Sequence, residues 1–182
     1  MKITLEPLDQ NNLEIAIKIQ NEIFSNEHGD KDLINSVNGK IAKHFSLQKQ
    51  FLVKAGKKYV GITGIYAYYE YPDDAWLAWF GIVEPERRKG YASEVFNIML
   101  DMARERGCKY FRLYTDEVEN SDAVKFYTHM GMKSEVYENP DDKCRHVGKM
   151  LVFSIPLNGK RVKKWNNKYL YLHEHDRLNK IH

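Results

Sequence analysis

The stretch of residues 79–92 constrains the fold of this chain more than any other part of the sequence. An apolar run is followed by the basic turn Arg87-Arg88-Lys89-Gly90, and then by the apolar periodicity of a long helix. This order predicts a strand, a turn and a helix start. The first N–H groups of a helix lack intrahelical partners and carry partial positive charge, so a basic turn placed there favours a phosphate or pyrophosphate. The glycine lets the backbone approach such an anion closely.

The turn resembles one signature of the GNAT superfamily of N-acetyltransferases, R-x-x-G-x-A, present here as Arg87-x-x-Gly90-x-Ala92. Further along the chain, residues 120–132 are similar to the second signature of that family, N-x-x-A-x-x-F-Y-x-x-x-G-F, with a methionine at the last position. On these two motifs, residues 3–156 are identified as a member of the superfamily. One departure is that only Glu86 separates Pro85 from Arg87, whereas the family usually has two residues there.

The resemblance implies an α/β (α+β) fold with a mixed, mostly antiparallel central sheet, helices on both faces, and a parallel, splayed pair of fourth and fifth strands. The residue pattern by itself predicts strands at residues 3–7, 51–55, 59–69, 76–83, 110–115, 134–137 and 149–156. Helices are predicted after Asp9 or Asn11, from Leu33 toward Ser46, from Ala92 to about Arg106, and after Asn120 or Ser121, with Gly107 and Gly131 as stops. The helix between the fourth and fifth strands makes that pair parallel through a right-handed crossover.

The chain of 182 residues suits one domain. We expect an acetyltransferase domain at residues 1–156 and a basic C-terminal extension at residues 157–182 that packs on or extends it. Within the extension, Tyr169 to Leu172 could form a strand. The basic residues there suggest nucleic acid as a partner, but a solvated basic face is the favoured alternative.

Several other classes of protein are disfavoured. The sequence lacks an apolar run of the roughly 20 residues that span a membrane and lacks an N-terminal signal pattern, so no membrane partner and a cytoplasmic location are expected. Cys108 and Cys144 lack metal-ligand spacing and are predicted to be free thiols. The pattern His173-Glu174-His175 has no further convincing ligands, so no metal is expected.

The resemblance implies transfer of an acetyl group from acetyl-CoA, the co-substrate, to a primary amine. It assigns backbone N–H groups near Ile82 or Val83 as donors to the oxyanion that develops. Coenzyme binding falls on Ile82, Val83, Arg87, Arg88, Lys89, Gly90, Tyr91, Ala92, Ser93, Asn120, Ala123 and Phe126.

Tyr127 matches the general acid of the family. A tyrosine with a pKa of about 10 is protonated at neutral pH and can donate to a leaving thiolate. Without the motif, its helical spacing would also suit a partly buried core tyrosine.

The general base stays open, because the glutamate that many members carry on the fourth strand is missing from residues 76–83. Asp116 and Glu117 follow the fifth strand and are the catalytic candidates. Glu27 and His28, on the connection between the first two helices, could also reach in, and water could relay the proton. Glu27, His28 and Trp79 are the expected substrate-binding residues.

Acidic loops surround the expected acceptor site and favour a cationic amine: a small molecule, a lysine or an N-terminal amine. Ordinary solvated loop carboxylates are the equally weighted alternative. A coenzyme A binding or sensing domain with little catalysis is the alternative function, and a homodimer is left open. The loop carboxylates are Glu27, Asp30, Asp32, Asp116, Glu117, Glu119, Glu138, Asp141 and Asp142.

Overall fold

The computed structural model describes residues 1–25, 27, 29–159 and 161–174. Its strands are β1 (Ile3–Pro7), β2 (Phe45–Ala55), β3 (Lys58–Tyr68), β4 (Asp74–Ile82), β5 (Tyr110–Asp116), β6 (Lys133–Val136) and β7 (Met150–Pro156). Its helices are α1 (Leu13–Ile23), α2 (Asp30–Val37), α3 (Tyr91–Glu105) and α4 (Ser121–His129), with a short 3-10 helix at Glu84–Glu86.

The described strands form one sheet in the order β1-β2-β3-β4-β5-β7-β6, in which β4 and β5 are the parallel pair. Strands β1 to β4 form an antiparallel meander, and β6 pairs antiparallel with β7. The predicted α/β class with a mostly antiparallel sheet is therefore confirmed. The splay between β4 and β5 stays a prediction.

Residue contacts divide the chain into two compact units, residues 1–111 and 112–182. The first unit contains β1 to β4 and α1 to α3, and the second contains α4, β6, β7 and most of β5. The predicted division at residue 156 stays a prediction.

Helices α1 and α2 pack on one face of the meander in the first unit. Leu52 and Ile62, which are paired across β2 and β3, are buried there with Ala16 and Ile19 of α1 and Leu33 of α2. Burying an aliphatic side chain of this size contributes about 1.5–3 kcal/mol. This face therefore anchors the connection between α1 and α2.

The second helix and the second strand differ from their predicted bounds. Helix α2 ends at Val37 instead of running toward Ser46, and Gly39 follows it with a φ of 69°. Strand β2 begins at Phe45 instead of residue 51, because the Phe45 ring packs against Tyr66 and Tyr68, with ring centroids 5.0 and 5.2 Å away. These aromatic contacts come from a strand distant in sequence, which local periodicity does not reveal.

The predicted start of α1 also needs correction. Asn12 is the N-cap residue, and no side-chain hydrogen bond caps the helix. The Asp9 carboxylate instead accepts the N–H groups of Asn11 and Asn12, at 2.8 and 3.2 Å, in the turn before the helix. At α4, Asn120 occupies the N-cap as one of the two predicted alternatives, again without a side-chain cap.

The described part of the C-terminal extension packs within the second unit. Trp165 and Leu170 are fully buried, and the backbone N–H of Trp165 donates to the Glu135 carboxylate at 2.7 Å. The buried Arg112 guanidinium lies 5.3 Å from the Trp165 ring and donates to Ser154 Oγ at 2.6 Å. Aromatic burial and a buried cation thus hold this segment.

The predicted strand from Tyr169 to Leu172 is wrong. Tyr171 has a φ of 61°, and the Glu174 N–H donates to the Tyr171 carbonyl at 3.1 Å, so this segment turns. The Leu170 N–H donates to the Asp142 carboxylate at 2.8 Å instead of to a neighbouring strand. The Leu170 N–H therefore pairs with a carboxylate side chain and not, as the apolar pattern predicts, with the backbone of a neighbouring strand.

Candidate functional site

The basic turn leads from β4 into α3 through two residues with left-handed backbone. After the 3-10 helix, Arg87 is extended, Arg88 has a φ of 62° and Gly90 a φ of 81°. The left-handed region is readily accessible to glycine and uncommon for other residues. This path connects Glu86 to the first turn of α3, although the turn is one residue shorter than in the family pattern.

Two of the three basic side chains in the turn have partners within the first unit. Arg87 Nε donates to the Ile82 carbonyl oxygen at 2.9 Å, and Lys89 Nζ donates to Glu86 at 2.8 Å. The buried Glu86 also accepts from Lys58, and the hydrogen bonds from Lys58 and Lys89 lower its pKa. Glu86 therefore holds two lysines beside the start of α3.

The first turn of α3 presents N–H groups at the same place. The Glu94 N–H donates to the Gly90 carbonyl at 3.2 Å, and the N–H groups of Tyr91, Ala92 and Ser93 precede it. Apart from Gly90 and its neighbours in the chain, no described atom lies within 4 Å of the point that a Cβ at Gly90 would occupy. Because unpaired N–H donors, cationic side chains and open space coincide, the turn fits a pyrophosphate group.

The two backbone donors predicted at the end of β4 are not equivalent. The Val83 N–H donates to the Val60 carbonyl at 3.0 Å and is therefore already engaged. Successive N–H groups along an antiparallel strand point to opposite edges, so the Ile82 N–H points away from β3. Of these two residues, Ile82 is the one whose N–H lies on the β5 side of β4, where the predicted splay would leave it open to a ligand.

Tyr127 lies in α4, in the second unit, and is only 6% exposed. Its ring packs against Phe126 and Phe153, with centroids 5.5 and 5.6 Å away. Burial raises the pKa of Tyr127 above its usual value, which keeps the hydroxyl protonated at neutral pH. Asn120, Ala123 and Phe126, which were predicted to contact coenzyme, lie on or next to the same helix and are partly exposed.

Asp116, one of the two candidate bases, has its carboxylate surrounded by backbone donors. It is 4% exposed and accepts N–H groups from Val118, Glu119, Val147 and Gly148 at 2.6–3.1 Å. Burial alone would raise the pKa of Asp116, but the hydrogen bonds from these N–H groups outweigh it and lower the pKa. A carboxylate held in this way is a weak proton acceptor, and its contacts secure the loops after β5 and before β7.

Glu117 is partly exposed next to Asp116. Its Oε1 accepts the Lys149 N–H at 3.1 Å. Glu117 is therefore accessible to a ligand, whereas Asp116 is buried.

The acceptor-side prediction centred on Trp79 falls on a defined cluster in the first unit. Trp79 Nε1 donates to Asp32 Oδ2 of α2 at 3.0 Å, and its ring packs edge-on against Phe24, with centroids 5.1 Å apart. A Cβ at Gly81 would stand 2.5 Å from Ile23, so the end of α1 lies directly on β4 here. Glu27 is exposed on the connection, and His28 lies outside the described residues.

The sequence of residues 13–132 matches the acetyltransferase (GNAT) family. The chain belongs to the GNAT acetyltransferase family. Among curated proteins, none matches this chain in sequence.

Solved structures with the same fold include several acetyltransferases. The ribosomal-protein-S18-alanine N-acetyltransferase of Escherichia coli superposes with a TM-score of 0.65 at 15% identity, covering 93% of this chain and 100% of that one. The spermidine N-acetyltransferase of Vibrio cholerae, in complex with CoA and spermine, gives a TM-score of 0.66 at 19% identity, covering 85% and 95%. A putative acetyltransferase from Desulfovibrio desulfuricans gives a TM-score of 0.71 at 9% identity, covering 86% and 99%. At these identities the likeness shows the GNAT fold.

Two of the carboxylates expected around the acceptor site of this GNAT chain are buried anchors. Asp116 is held as described above. Asp142 accepts hydrogen bonds from the Tyr137 hydroxyl at 2.6 Å, the Leu170 N–H at 2.8 Å and His173 Nδ1 at 3.0 Å. The prediction that Asp142 is one of the acidic residues around the acceptor site is therefore wrong. Its carboxylate is buried and binds the C-terminal segment instead.

The remaining predictions concern the two cysteines, a membrane-spanning helix and the pattern His173-Glu174-His175. Cys108 and Cys144 are both free thiols, as predicted, and burial raises the pKa of Cys108. Within the described ranges, no helix has the length and apolar character required to cross a membrane. His173 pairs with Asp142 and Tyr169, whereas His175 lies outside the described residues.

The sequence reading of this GNAT chain missed Gln20 and Glu86. Gln20 is fully buried in α1 between Ala16 and Ile23, positions that form an apolar stripe at helical spacing. A polar residue within such a stripe was the available signal. For Glu86 the spacing to Lys89 was a local signal, but its burial and its contact with Lys58 come from a distant hairpin.

Proposed function

We propose that this chain is an acetyl-CoA-dependent N-acetyltransferase that acts on a primary amine. The observation that carries the proposal is the basic turn at the start of α3, with open space beside helix N–H groups, in a member of the acetyltransferase family. A buried, protonated Tyr127 in the matching helical motif supports it. Both features match the requirements of acetyl transfer from a thioester.

The coenzyme supplies an activated acetyl group as a thioester. We assign the turn residues Arg87, Arg88, Lys89 and Gly90, with the N–H groups of Tyr91, Ala92 and Ser93, to its pyrophosphate. The Ile82 N–H is assigned to the oxygen that becomes negative as the amine attacks. Asn120, Ala123 and Phe126 are assigned to the remainder of the coenzyme arm.

Two proton transfers are required of the chain. An ammonium with a pKa of about 10.4 must lose its proton before its nitrogen can attack. The leaving thiolate must gain one, and Tyr127 is the assigned donor. For the base, the low pKa and four N–H contacts of Asp116 favour Glu117 or a water molecule in its place.

The acceptor is proposed to be a cationic amine: a small molecule, a lysine or an N-terminal amine. Exposed carboxylates raise the local concentration of cations, and this effect weakens with salt over a Debye length of about 8 Å. Support comes from those loop carboxylates that are exposed, namely Glu27, Glu119, Glu138 and Asp141. The fold neighbours named above for spermidine and for ribosomal protein S18 alanine are both amine acetyltransferases by name.

The test is thiol release from acetyl-CoA over a panel of amines at low and high ionic strength, with coenzyme binding measured by calorimetry. We expect turnover on at least one cationic amine and a loss of catalytic efficiency as salt rises. If the catalytic efficiency on cationic amines is the same at low and at high salt, the proposal that exposed carboxylates attract the acceptor is contradicted.

Coenzyme binding without turnover on any amine supports the alternative function, a coenzyme A binding or sensing domain. The missing glutamate on the fourth strand motivates that alternative. The proposed enzyme activity then fails, although the coenzyme site stands.

A further inference from the structure

Gln20 is a polar group that the proposed chemistry does not explain. Its side chain is fully buried, and neither Nε2 nor Oε1 has a hydrogen-bond partner among the residues that the structure describes. Buried amides are nearly always hydrogen-bonded, because leaving them unpaired destabilises the folded state. At this position in α1, an apolar side chain would stabilise the folded state more than the amide does. An unpaired amide here therefore points to a ligand.

The Gln20 amide lies at the acceptor-side cluster. A Cβ at Gly29 would stand 2.0 Å from Gln20 Nε2 and 3.0 Å from Trp79 Cε2, so the amide and the indole approach the same point. Trp79 in turn donates to Asp32 and packs on Phe24. A carboxamide, an aromatic ring and a carboxylate are thus gathered beneath the connection between α1 and α2.

We propose that Gln20, Trp79 and Asp32 form an acceptor subsite in which Gln20 is a specificity residue for an amide group next to the reacting amine. This inference rests on the proposed N-acetyltransferase function and narrows its acceptor to the amino terminus of a peptide. Trp79, beside which the Gln20 amide lies, is partly exposed, so the subsite requires the Gln20 side chain to turn toward the exposed side of Trp79.

The preference for an amide follows from the hydrogen-bonding atoms of Gln20. Its Nε2 donates and its Oε1 accepts, and a peptide group offers the complementary C=O and N–H. At neutral pH a linear polyamine carries only ammonium donors, so it would satisfy Oε1 and leave Nε2 without an acceptor. A lysine side chain likewise has no amide close to its amine. The ammonium form of a peptide terminus also suits the Asp32 carboxylate and the Trp79 ring.

The test compares Gln20→Met with the wild-type protein. Methionine has a similar length and no amide, so the variant should be as stable as the wild type or more stable. The KM for a dipeptide amide should rise about tenfold, as expected for the loss of roughly one hydrogen bond to the acceptor. The KM for acetyl-CoA should not change. The KM for 1,4-diaminobutane, which has no amide to pair with Nε2, should rise less than the KM for the dipeptide amide.

A matched control is Thr63→Val. Thr63 Oγ1 is also buried without a partner in the described residues, but Thr63 alternates with Ile62 and points to the opposite face of the sheet. This variant should keep the wild-type KM for every amine. Gly29→Ala is the second variant, because its Cβ would displace the Gln20 amide and should reproduce the rise in peptide KM.

Three results would overturn the inference. An unchanged peptide KM in both Gln20→Met and Gly29→Ala would make Gln20 a structural residue only. Wild-type turnover of polyamines with none of peptides would remove the amide preference while leaving the proposed enzyme function intact. Coenzyme binding without turnover of any amine would remove both.

Discussion

Arg87 Nε donates a hydrogen bond to the carbonyl oxygen of Ile82, 2.9 Å away. This bond joins the first residue of the basic turn to the last residue of β4. Ile82 also carries the N–H that we assign to the developing oxyanion. Arg87 therefore contributes to the shape of the turn as well as to its charge, because a guanidinium holds a fixed geometry that an ammonium does not.

Reversing the charge of Arg87 should weaken coenzyme binding. We expect Arg87→Glu to raise the dissociation constant of acetyl-CoA by ten- to a hundredfold, in line with about 1.5–3 kcal/mol for a charge-assisted hydrogen bond. Arg87→Lys should have a smaller effect, since it keeps the charge and loses the Nε contact. Calorimetric titration measures both. Arg106→Glu, at the other end of α3, is the control, and an Arg87→Glu protein with wild-type affinity would remove this pyrophosphate site.

Removing the hydroxyl of Tyr127 should lower turnover and leave coenzyme affinity nearly unchanged. We expect the kcat of Tyr127→Phe to fall by about 10²–10⁴, the usual contribution of a positioned proton donor. Because burial raises its pKa, Tyr127 stays protonated at higher pH than an ordinary tyrosine. The wild-type kcat should therefore show no loss from Tyr127 as pH rises to about 10. Wild-type turnover in the variant would assign thiolate protonation to another group.

Replacing Asp116 with asparagine should destabilise the protein more than it slows the reaction. The pKa of Asp116 is lower in the folded protein than in the unfolded chain, so its stabilising effect is present at neutral pH. That effect is lost as pH falls from about 4 through the lowered pKa. We expect a loss of roughly 1–3 kcal/mol at pH 7 for Asp116→Asn, measured by urea unfolding, and a smaller difference at pH 3.

The kinetics of the same variant separate Asp116 from Glu117 as the base. Glu117→Gln is the matched change at the neighbouring carboxylate. If Asp116→Asn keeps the wild-type urea midpoint but loses most of its kcat, Asp116 is the general base.

Truncating Trp165 should unfold or loosen the second unit. Its ring is fully buried, and the cationic groups of Arg112 and Lys168 lie 5.3 and 4.6 Å from it. We expect Trp165→Ala to cost about 3–5 kcal/mol in the free energy of unfolding, measured by denaturant titration. Lys164→Ala, at the exposed preceding residue, is the control. A wild-type midpoint for Trp165→Ala would show that residues 161–174 do not contribute to folding.

Local patterns predicted the main elements well. Strand β1, the strands of the meander, the long helix after Gly90 and the last two strands all follow from periodicity and turn residues. The positive φ values of Gly107 and Gly131, 78° and 87°, match their predicted places just after helices. Such features depend on residues close together in sequence, and a single sequence contains that information.

The sequence by itself determined that this chain has a GNAT fold with a basic turn before α3 and a helical Tyr127 motif, because each depends on a short, ordered run of residue types. Tertiary structure decided the burial and the hydrogen-bond partners of individual polar groups. It made Asp116 and Asp142 buried anchors, engaged the Val83 N–H with Val60, and left the Gln20 amide beside Trp79 without a partner among the described residues. The pKa and availability of a polar group depend on burial and on donors from distant segments, which become neighbours only when the chain folds.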